Sequence, residues 1–258
     1  MENQLYSLSR SVYYQFLNKV SFYKKRRLLK GKIAYDLKPQ ELDCFELLQS
    51  IDNDSHKITC IYDIGAAVGT FSILAQAFFP DAVIHAFEPL SNQFSELENN
   101  TNNIENIILH KIGLGSENKT TDIYLTSQSD SSSILNPSEG QLKKYWDISV
   151  VETQKIELHR LDDYIDNKRN LLKIPELIKI DVQGYELEAL KGGIKCLKQV
   201  EWIIIEVSFE QLYQDQPIFH EIINFMANNK FYLFSLGQNT PTGIHKLIQI
   251  NCLFKKIH

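Results

Sequence analysis

Four apolar runs in this chain stop on an acid: "ITCIYD" at Asp63, "AVIHAFE" at Glu88, "ELIKID" at Asp181 and "EWIIIE" at Glu206. After Asp63 and Asp181 the chain passes through glycine (Gly65, Gly184) and enters a segment of helical apolar period, and Glu88 is followed by "PLSNQFSELENNT". A short apolar run that breaks at a turn and continues as a helix is one crossover unit, and its repetition builds a mostly parallel, open α/β sheet. In such sheets ligands collect at the carboxyl ends of the strands, where all four acids fall. Four carboxylates around one crevice are costly unless a cation, a diol or a proton transfer calls for them.

The rest of the chain fits that frame. The segment "NIILHKIGLG" reads as a third strand. A stretch over 116–160 reads as an insertion of two strands, "TTDIYLT" and "ISVVETQKIELHRL", around the Ser-rich loop "SQSDSSSILNPSEG". The parallel pattern resumes with the helix "YELEALKGGIKCL" and the helix "PIFHEIINFMANN", and "FYLFSL" and "LIQINCLF" close it. Ser91 stands where an N-cap is expected. With 258 residues, 43% of them hydrophobic, the chain has room for one large core. We expect a domain over 58–258, preceded by a helical, basic extension over 1–57. Residues 5–23 carry Leu5, Leu8, Val12, Phe16, Val20 and Tyr23 at helical spacing, the basic stretch "KKRRLLKGK" follows, and 39–51 reads as a second helix.

The glycine turn narrows the ligand. A dinucleotide site wants G-x-G-x-x-G, but here Asp63 takes the first glycine's place and would repel a pyrophosphate. A phosphate-binding loop wants Lys-Ser/Thr after its last glycine, and Gly69 is followed by "TFS". An acid beside a glycine turn suits a ligand with a cationic amino group and no phosphate, and S-adenosyl-L-methionine is such a ligand. Glu88, one strand on, is placed to accept hydrogen bonds from a ribose diol. The net charge of −5 argues against a nucleic-acid partner. It hides an asymmetry: residues 1–32 hold eight Lys/Arg against Glu2, so +7, which leaves −5 − 7 = −12 on the body. Four separated cysteines without a C-x-x-C pair suggest buried thiols in a reducing cytoplasm. We find no apolar run of membrane-span length and no signal-peptide core, so a cytoplasmic location is expected.

The stretches "DIGAAVGTFS", "AFEP" and above all "IKIDVQGYELEALKGG" resemble the FkbM family of S-adenosylmethionine-dependent methyltransferases, from about Ile58 to about Phe254. The resemblance implies a class I, Rossmann-like sheet of seven strands with the last, "LIQINCLF", antiparallel. It implies O-methylation of a hydroxyl, on a sugar or glycan or on a glycosylated or polyketide metabolite. It places Asp63, Gly65, Ala66 and Gly69 at the methionine end of the cofactor, Glu88 and Pro89 at the ribose, and Lys111-Ile112-Gly113 beside the adenine. Asp181 then faces both methyl group and acceptor. Two positions depart from common family variants: Gln183 stands where Glu is frequent, and Gly113 where Ala is.

Methyl transfer from a sulfonium needs alignment and a place for the acceptor's proton. Asp181 is the first candidate base, with an ordering role as the alternative, and Glu206 and Glu186 come next. Glu206 also reads as a lysine partner or a turn cap, and Glu186 as a charge favourable at a helix start. His85, His110 and His159 are further base candidates, although His85, inside a strand, reads rather as a core residue. Asp181 and Glu206 with waters also suit Mg²⁺, although no third adjacent acid is evident, so no metal ligands are assigned. The "SSSIL" segment reads either as a flap over the acceptor or as a solvated tip. A non-catalytic cofactor-binding module, and a methyltransferase acting on protein or nucleic acid, are the competing functions. The N-terminal segment suits packing on its own domain, a homo-oligomer contact, or peripheral attachment to an anionic membrane. Deleting residues 1–32 should leave cofactor binding, read by calorimetry, unchanged, because the motifs begin only at Ile61.

Overall fold

The computed structural model describes residues 25, 44–54, 57–128, 131–138, 147–237 and 247–258. The expected helix over 5–23, most of the basic stretch and the start of the helix at 39 lie outside the described residues. Seven strands form the main sheet in the order β3-β2-β1-β7-β8-β10-β9. These are β1 (Cys60–Ile64), β2 (Val83–Phe87), β3 (Ile107–His110), β7 (Leu177–Ile180), β8 (Trp202–Ser208), β9 (Phe231–Leu236) and β10 (Gln249–Lys256). β1, β2, β3, β7 and β8 run parallel, and β10 enters antiparallel between β8 and β9. The last strand is therefore the reversed one, as the resemblance implied.

Period-two alternation sorts the sheet's side chains into two apolar layers. Tyr62, Ile64, Ile178, Ile180, Ile203 and Ile205 belong to one. Ile61, Leu177, Trp202 and Ile204 belong to the other, together with helices α1 (Phe45–Asp52) and α2 (Thr70–Phe78). Within α1, Phe45, Leu47, Leu48 and Ile51 are buried, and Lys25 lies on it, 2.6 Å from Glu46. Among the described residues no helix is long and apolar enough to cross a membrane.

Four local readings need correction. The third strand is two: β3 stops at His110, the amide of Ile112 turns back to the His110 carbonyl, and Gly113–Leu114 (β4) joins a second sheet. That sheet, ordered β4-β6-β5, holds the insertion strands β5 (Lys119–Thr126) and β6 (Val150–His159). Second, Ser91 opens helix α3 (Ser91–Thr101) as its first residue, with Leu90 in the N-cap position. Third, residues after His159 form a helix, α4 (Leu161–Asn167), that the strand-like pattern hid. Its Asp162 accepts the amides of Lys195 and Cys196 at 2.9 Å each. Fourth, the expected helix over 185–197 breaks into α5 (Glu186–Gly192) and α6 (Ile194–Leu197). The helix expected from Pro217 is α7 (Phe219–Asn228).

Three buried polar side chains, His85, His110 and Tyr164, form a chain beneath β2 and β3 that ends on the exposed Lys168. His85 Nδ1 lies 3.0 Å from His110 Nε2, His110 Nδ1 lies 3.0 Å from the Tyr164 hydroxyl, and Lys168 donates to that hydroxyl at 2.8 Å. Lysine can only donate, which leaves the Tyr164 hydroxyl hydrogen to donate to His110 Nδ1, and in that arrangement His110 donates through Nε2 to His85. Burial pushes both imidazoles down to about 4, with His85 and Lys168 adding to the effect on His110. An unfolded histidine takes its proton near 6.5. Below that pH the unfolded chain binds more protons, so the pair's contribution is present above pH 6.5 and is lost as pH falls towards 4. Long-range ¹⁵N NMR at pH 5.5 should show both rings neutral, with His110 protonated on Nε2. A charged ring at that pH refutes the arrangement.

Candidate functional site

The order of the sheet reverses between β1 and β7, and Asp63, Asp181 and Glu206 gather there, with Glu88 one strand away at the end of β2. Register does the placing. Asp63 pairs with Lys179 across β1 and β7, and Ile180 pairs with Ile205 across β7 and β8. One step beyond, Asp181 comes alongside Glu206. Residues two apart on a strand share a face, so Lys179 and Asp181 project to the same side. The Lys179 ammonium donates to Asp181 Oδ2 at 3.1 Å and lies 3.9 Å from Asp63 Oδ1, over the ring of Phe71.

Lys179 is 7% exposed and Asp63 is sealed from solvent. Burial opposes the lysine's charge, but Asp181 and Asp63 outweigh it and hold the ammonium above the ordinary lysine range. Burial lifts the Asp63 carboxyl, and Lys179 and a 2.7 Å hydrogen bond from the Ser72 hydroxyl work against that. Ser72 lies in the first turn of α2, so Asp63 fastens the helix to the strand that precedes it.

The glycine turn sits on this ion group. Gly65 (φ +81°), Ala67 (φ +46°) and Gly69 (φ +91°) all lie in the left-handed region. A Cβ on Gly65 would come within 1.9 Å of the Asp181 carbonyl oxygen, so the turn after β1 and the end of β7 touch backbone to backbone. The amides of Gly65 and Ala66 both donate to the Phe87 carbonyl at 3.0 Å, which ties the turn to the end of β2. There Glu88, also buried, accepts the Ala67 amide at 3.0 Å and the Leu90 amide at 2.8 Å. Burial raises its carboxyl to about 7 against those two bonds. Each oxygen keeps a second lone pair. Pro89 follows directly, in the link to α3.

After β7 the chain makes a tight loop. Gln183 has φ +52°, uncommon for a residue with a side chain. Glu186, expected at a helix start, is buried there and accepts the amides of Val182 (3.2 Å) and Gly184 (2.9 Å), which holds the loop closed. Burial raises its carboxyl to about 7. The Gln183 amide donates to Asp181 Oδ1 at 2.8 Å and reaches Glu206 Oε2 at 3.4 Å. Glu206 also accepts from Gln249 of β10 at 2.9 Å. The inserted loop arrives on the same spot. Ser133 is buried and its hydroxyl donates to the Gln183 carbonyl, so this part of "SSSIL" is a packed wall rather than a solvated tip.

The structure thus gathers Asp63, Gly65, Asp181 and Glu206 around one strand junction and joins Glu88 to them through the glycine turn. Ile112 lies next to Glu88, since the amides of both donate to the His110 carbonyl at 3.0 Å, while Gly113 belongs to the second sheet. Ile112 shares a buried cluster with Leu161 and Tyr164, and Gly113 pairs with Leu158, whose side chain would meet a Cβ at 2.7 Å. His85 and His110 are committed to each other, and His159 ends β6 in the small sheet. Among the described residues no group of three metal-ligating side chains occurs. Sequence reasoning passed over Lys179, although "KID" places it two residues before Asp181 on the same face. It also passed over Tyr213 and Gln249, which no local pattern connects to Asp181.

Removing the cation leaves two carboxylates facing each other, one of them sealed. Lys179→Met should destabilise the fold by about 3–5 kcal/mol in urea titration. Asp63→Asn/Lys179→Met should recover part of that loss. A single variant within 1 kcal/mol of the parent would show the ion group to be dispensable.

Comparison with known proteins gives a consistent answer. The family profile described as "Methyltransferase FkbM domain" matches residues 63–233, more than half of the chain. "Methyltransferase 1" of Beauveria bassiana is 27% identical over 157 residues, 57% of this chain and 61% of that protein. "2-O-methyltransferase NoeI" of Sinorhizobium fredii is 24% identical over 190 residues, 71% of this chain and 75% of that protein. "Hexuronic acid methyltransferase AglP" of Haloferax volcanii is 25% identical over 161 residues, 62% of this chain and 59% of that protein. The match thus spans about three fifths of the first and third of these relatives.

Proposed function

Because this chain belongs to the FkbM methyltransferase family, with S-adenosylmethionine as its cofactor, we propose that it methylates a hydroxyl of a sugar or glycan, with Asp181 as the base. The observation that carries this reading is the grip on Asp181. Lys179 donates to one carboxylate oxygen and Gln183 to the other. The carboxylate plane is thereby fixed at the end of β7, and each oxygen keeps one lone pair for an incoming proton. Two relatives, one named a 2-O-methyltransferase and one a hexuronic acid methyltransferase, favour a sugar acceptor.

The residues fit the cofactor. The turn is packed too closely on Asp181 and Leu97 for a side chain at Gly65 or Gly69, and Glu88 at its edge keeps acceptor capacity for a diol. Gly65, Ala66 and Gly69 would hold the methionine end, and Glu88 with Pro89 the ribose. Ile112 and Gly113 would lie towards the base. Asp63, being sealed, would act through the turn that it braces. When bound, S-adenosylmethionine supplies a methyl group already activated on a sulfonium. The protein's share is alignment of the acceptor hydroxyl and removal of its proton to Asp181 as the new C–O bond forms. Glu206, tied to Gln183 and Gln249, belongs to the acceptor side as a hydrogen-bonding group.

The test is labelled methyl transfer to a panel of hexosides, 6-deoxyhexosides and hexuronates. The expected product is an ether, stable to mild alkali. Asp181→Asn should keep cofactor affinity and lower turnover ~10²–10⁴-fold. An alkali-labile product together with an active Asp181→Asn enzyme would point instead to a carboxylate acceptor, which has no proton to lose.

Glu88 gives a second test. If ribose hydroxyls donate to its ionised carboxylate, cofactor binding competes with protonation. Affinity should be flat above about pH 7, where the raised carboxyl ionises, and should fall by up to about tenfold per pH unit below it. Calorimetry at pH 8 and pH 6 reads this, and Glu88→Gln should abolish the slope. Equal affinity of the parent protein at both pH values would remove Glu88 from the ribose.

A further inference from the structure

We propose that Gln183 is a positioning residue whose side-chain amide joins Asp181 to Glu206 in the place where a divalent cation would otherwise bridge two carboxylates, so that this chain holds its acceptor-side acids together without a metal. The proposal rests on the reading of Asp181 as the base.

An amide nitrogen carries two hydrogens, and here each has a carboxylate to meet: Asp181 Oδ1 at 2.8 Å and Glu206 Oε2 at 3.4 Å. Which end of the amide is nitrogen follows from its surroundings. The fully buried Tyr213 directs its one hydroxyl hydrogen at the Ser131 carbonyl (2.8 Å) and shares it with Gln183 Oε1 at 3.2 Å, so the orientation is decided by the carboxylates. Turned over, the oxygen would face two carboxylate oxygens, acceptor against acceptors. The backbone beneath is held with equal care. The left-handed φ of +52° costs roughly 1–3 kcal/mol for a residue with a side chain. It is maintained by Ser133 on the Gln183 carbonyl and by Glu186 on the amides either side. The next residue, Gly184, has φ +97°, and a Cβ there would meet Tyr213 at 3.0 Å and Gln216 at 3.3 Å. Gln183 is therefore fixed from four directions.

Hard divalent cations bind carboxylate oxygens at about 2.0–2.6 Å and need several of them. The amide nitrogen fills the gap between the two acids, and the Lys179 ammonium, 3.1 Å from Asp181 Oδ2, adds repulsion against a second cation. Glutamate at 183 has nearly the same shape and reverses this. Two donors become acceptors, and three carboxylates then crowd one place, an arrangement that draws in a shared proton or a cation.

The experiment uses Mn²⁺ alone, with the full chain and no acceptor. The electron paramagnetic resonance signal of free Mn²⁺ reports binding. The wild type should leave the signal unchanged up to millimolar concentration. Gln183→Glu should bind at least tenfold more tightly, and Asp181→Asn/Gln183→Glu should return to the wild-type behaviour. Calorimetry with S-adenosylmethionine checks that each variant is folded. Wild-type binding as tight as that of Gln183→Glu overturns the proposal, as does a folded Gln183→Glu protein that binds no better. Should Gln183→Glu not fold, the wild type still decides. Stoichiometric Mn²⁺ should leave the Gln183 side-chain amide resonances sharp, and their broadening overturns the proposal. The identity of the base is decided separately by the Asp181→Asn rate, which these metal measurements do not touch.

Discussion

A buried ammonium between two carboxylates holds this structure's working end together. Lys179 lies in the middle of a parallel sheet, a place where a charge is costly, and it is tolerated because Asp63 and Asp181 stand on either side of it. Asp63 carries the glycine turn and the start of α2, and Asp181 carries the loop to α5. Through the lysine these two halves of the crevice have a fixed separation. Breaking the group therefore affects a binding turn and a candidate base together, although the two lie more than a hundred residues apart in the chain.

The same economy appears at Gln183. One side chain touches Asp181, Glu206 and Tyr213, and the residue's backbone carbonyl receives the inserted loop through Ser133. The insertion is thus more than an appendage to the sheet. It supplies part of the wall against which the strand-end loop is set. Glu186 does comparable work from below, spending its carboxylate on backbone amides rather than on chemistry.

Much of this was legible in the sequence because it is local or periodic. Apolar runs ending on Asp63, Glu88 and Asp181, each followed by a turn and a helix, required a parallel sheet with its acids at one end. The reversed last strand came from the family resemblance. What stayed hidden depends on neighbours distant in sequence. Leu161–Asn167 follows a strand without a break in its apolar pattern, and its Asp162 finds its partners at 195 and 196 only in the folded chain. Tyr213 and Gln249 reach the site from the far side of β8, where no spacing rule applies. Asp63 was read as facing a ligand, since a carboxylate before a glycine turn is a site signature. Its burial behind Ser72 and Lys179 could be seen only once β1 and β7 were paired.

The reversed strand also determines the place of the strand before it. β9 pairs with β10 alone, and β10 alone joins it to the rest of the sheet. β9 therefore has its place in the sheet only through the strand that follows it, and Phe231, Cys252, Leu253 and Phe254 complete both apolar layers. Gln249, the first residue of β10, brings the hydrogen bond that steadies Glu206. The surroundings of Glu206 thus depend on the strand that follows all others of the sheet in sequence, whereas the glycine turn follows the first. A chain cut before Gln249 would keep every residue of the glycine turn and lose the group that steadies Glu206.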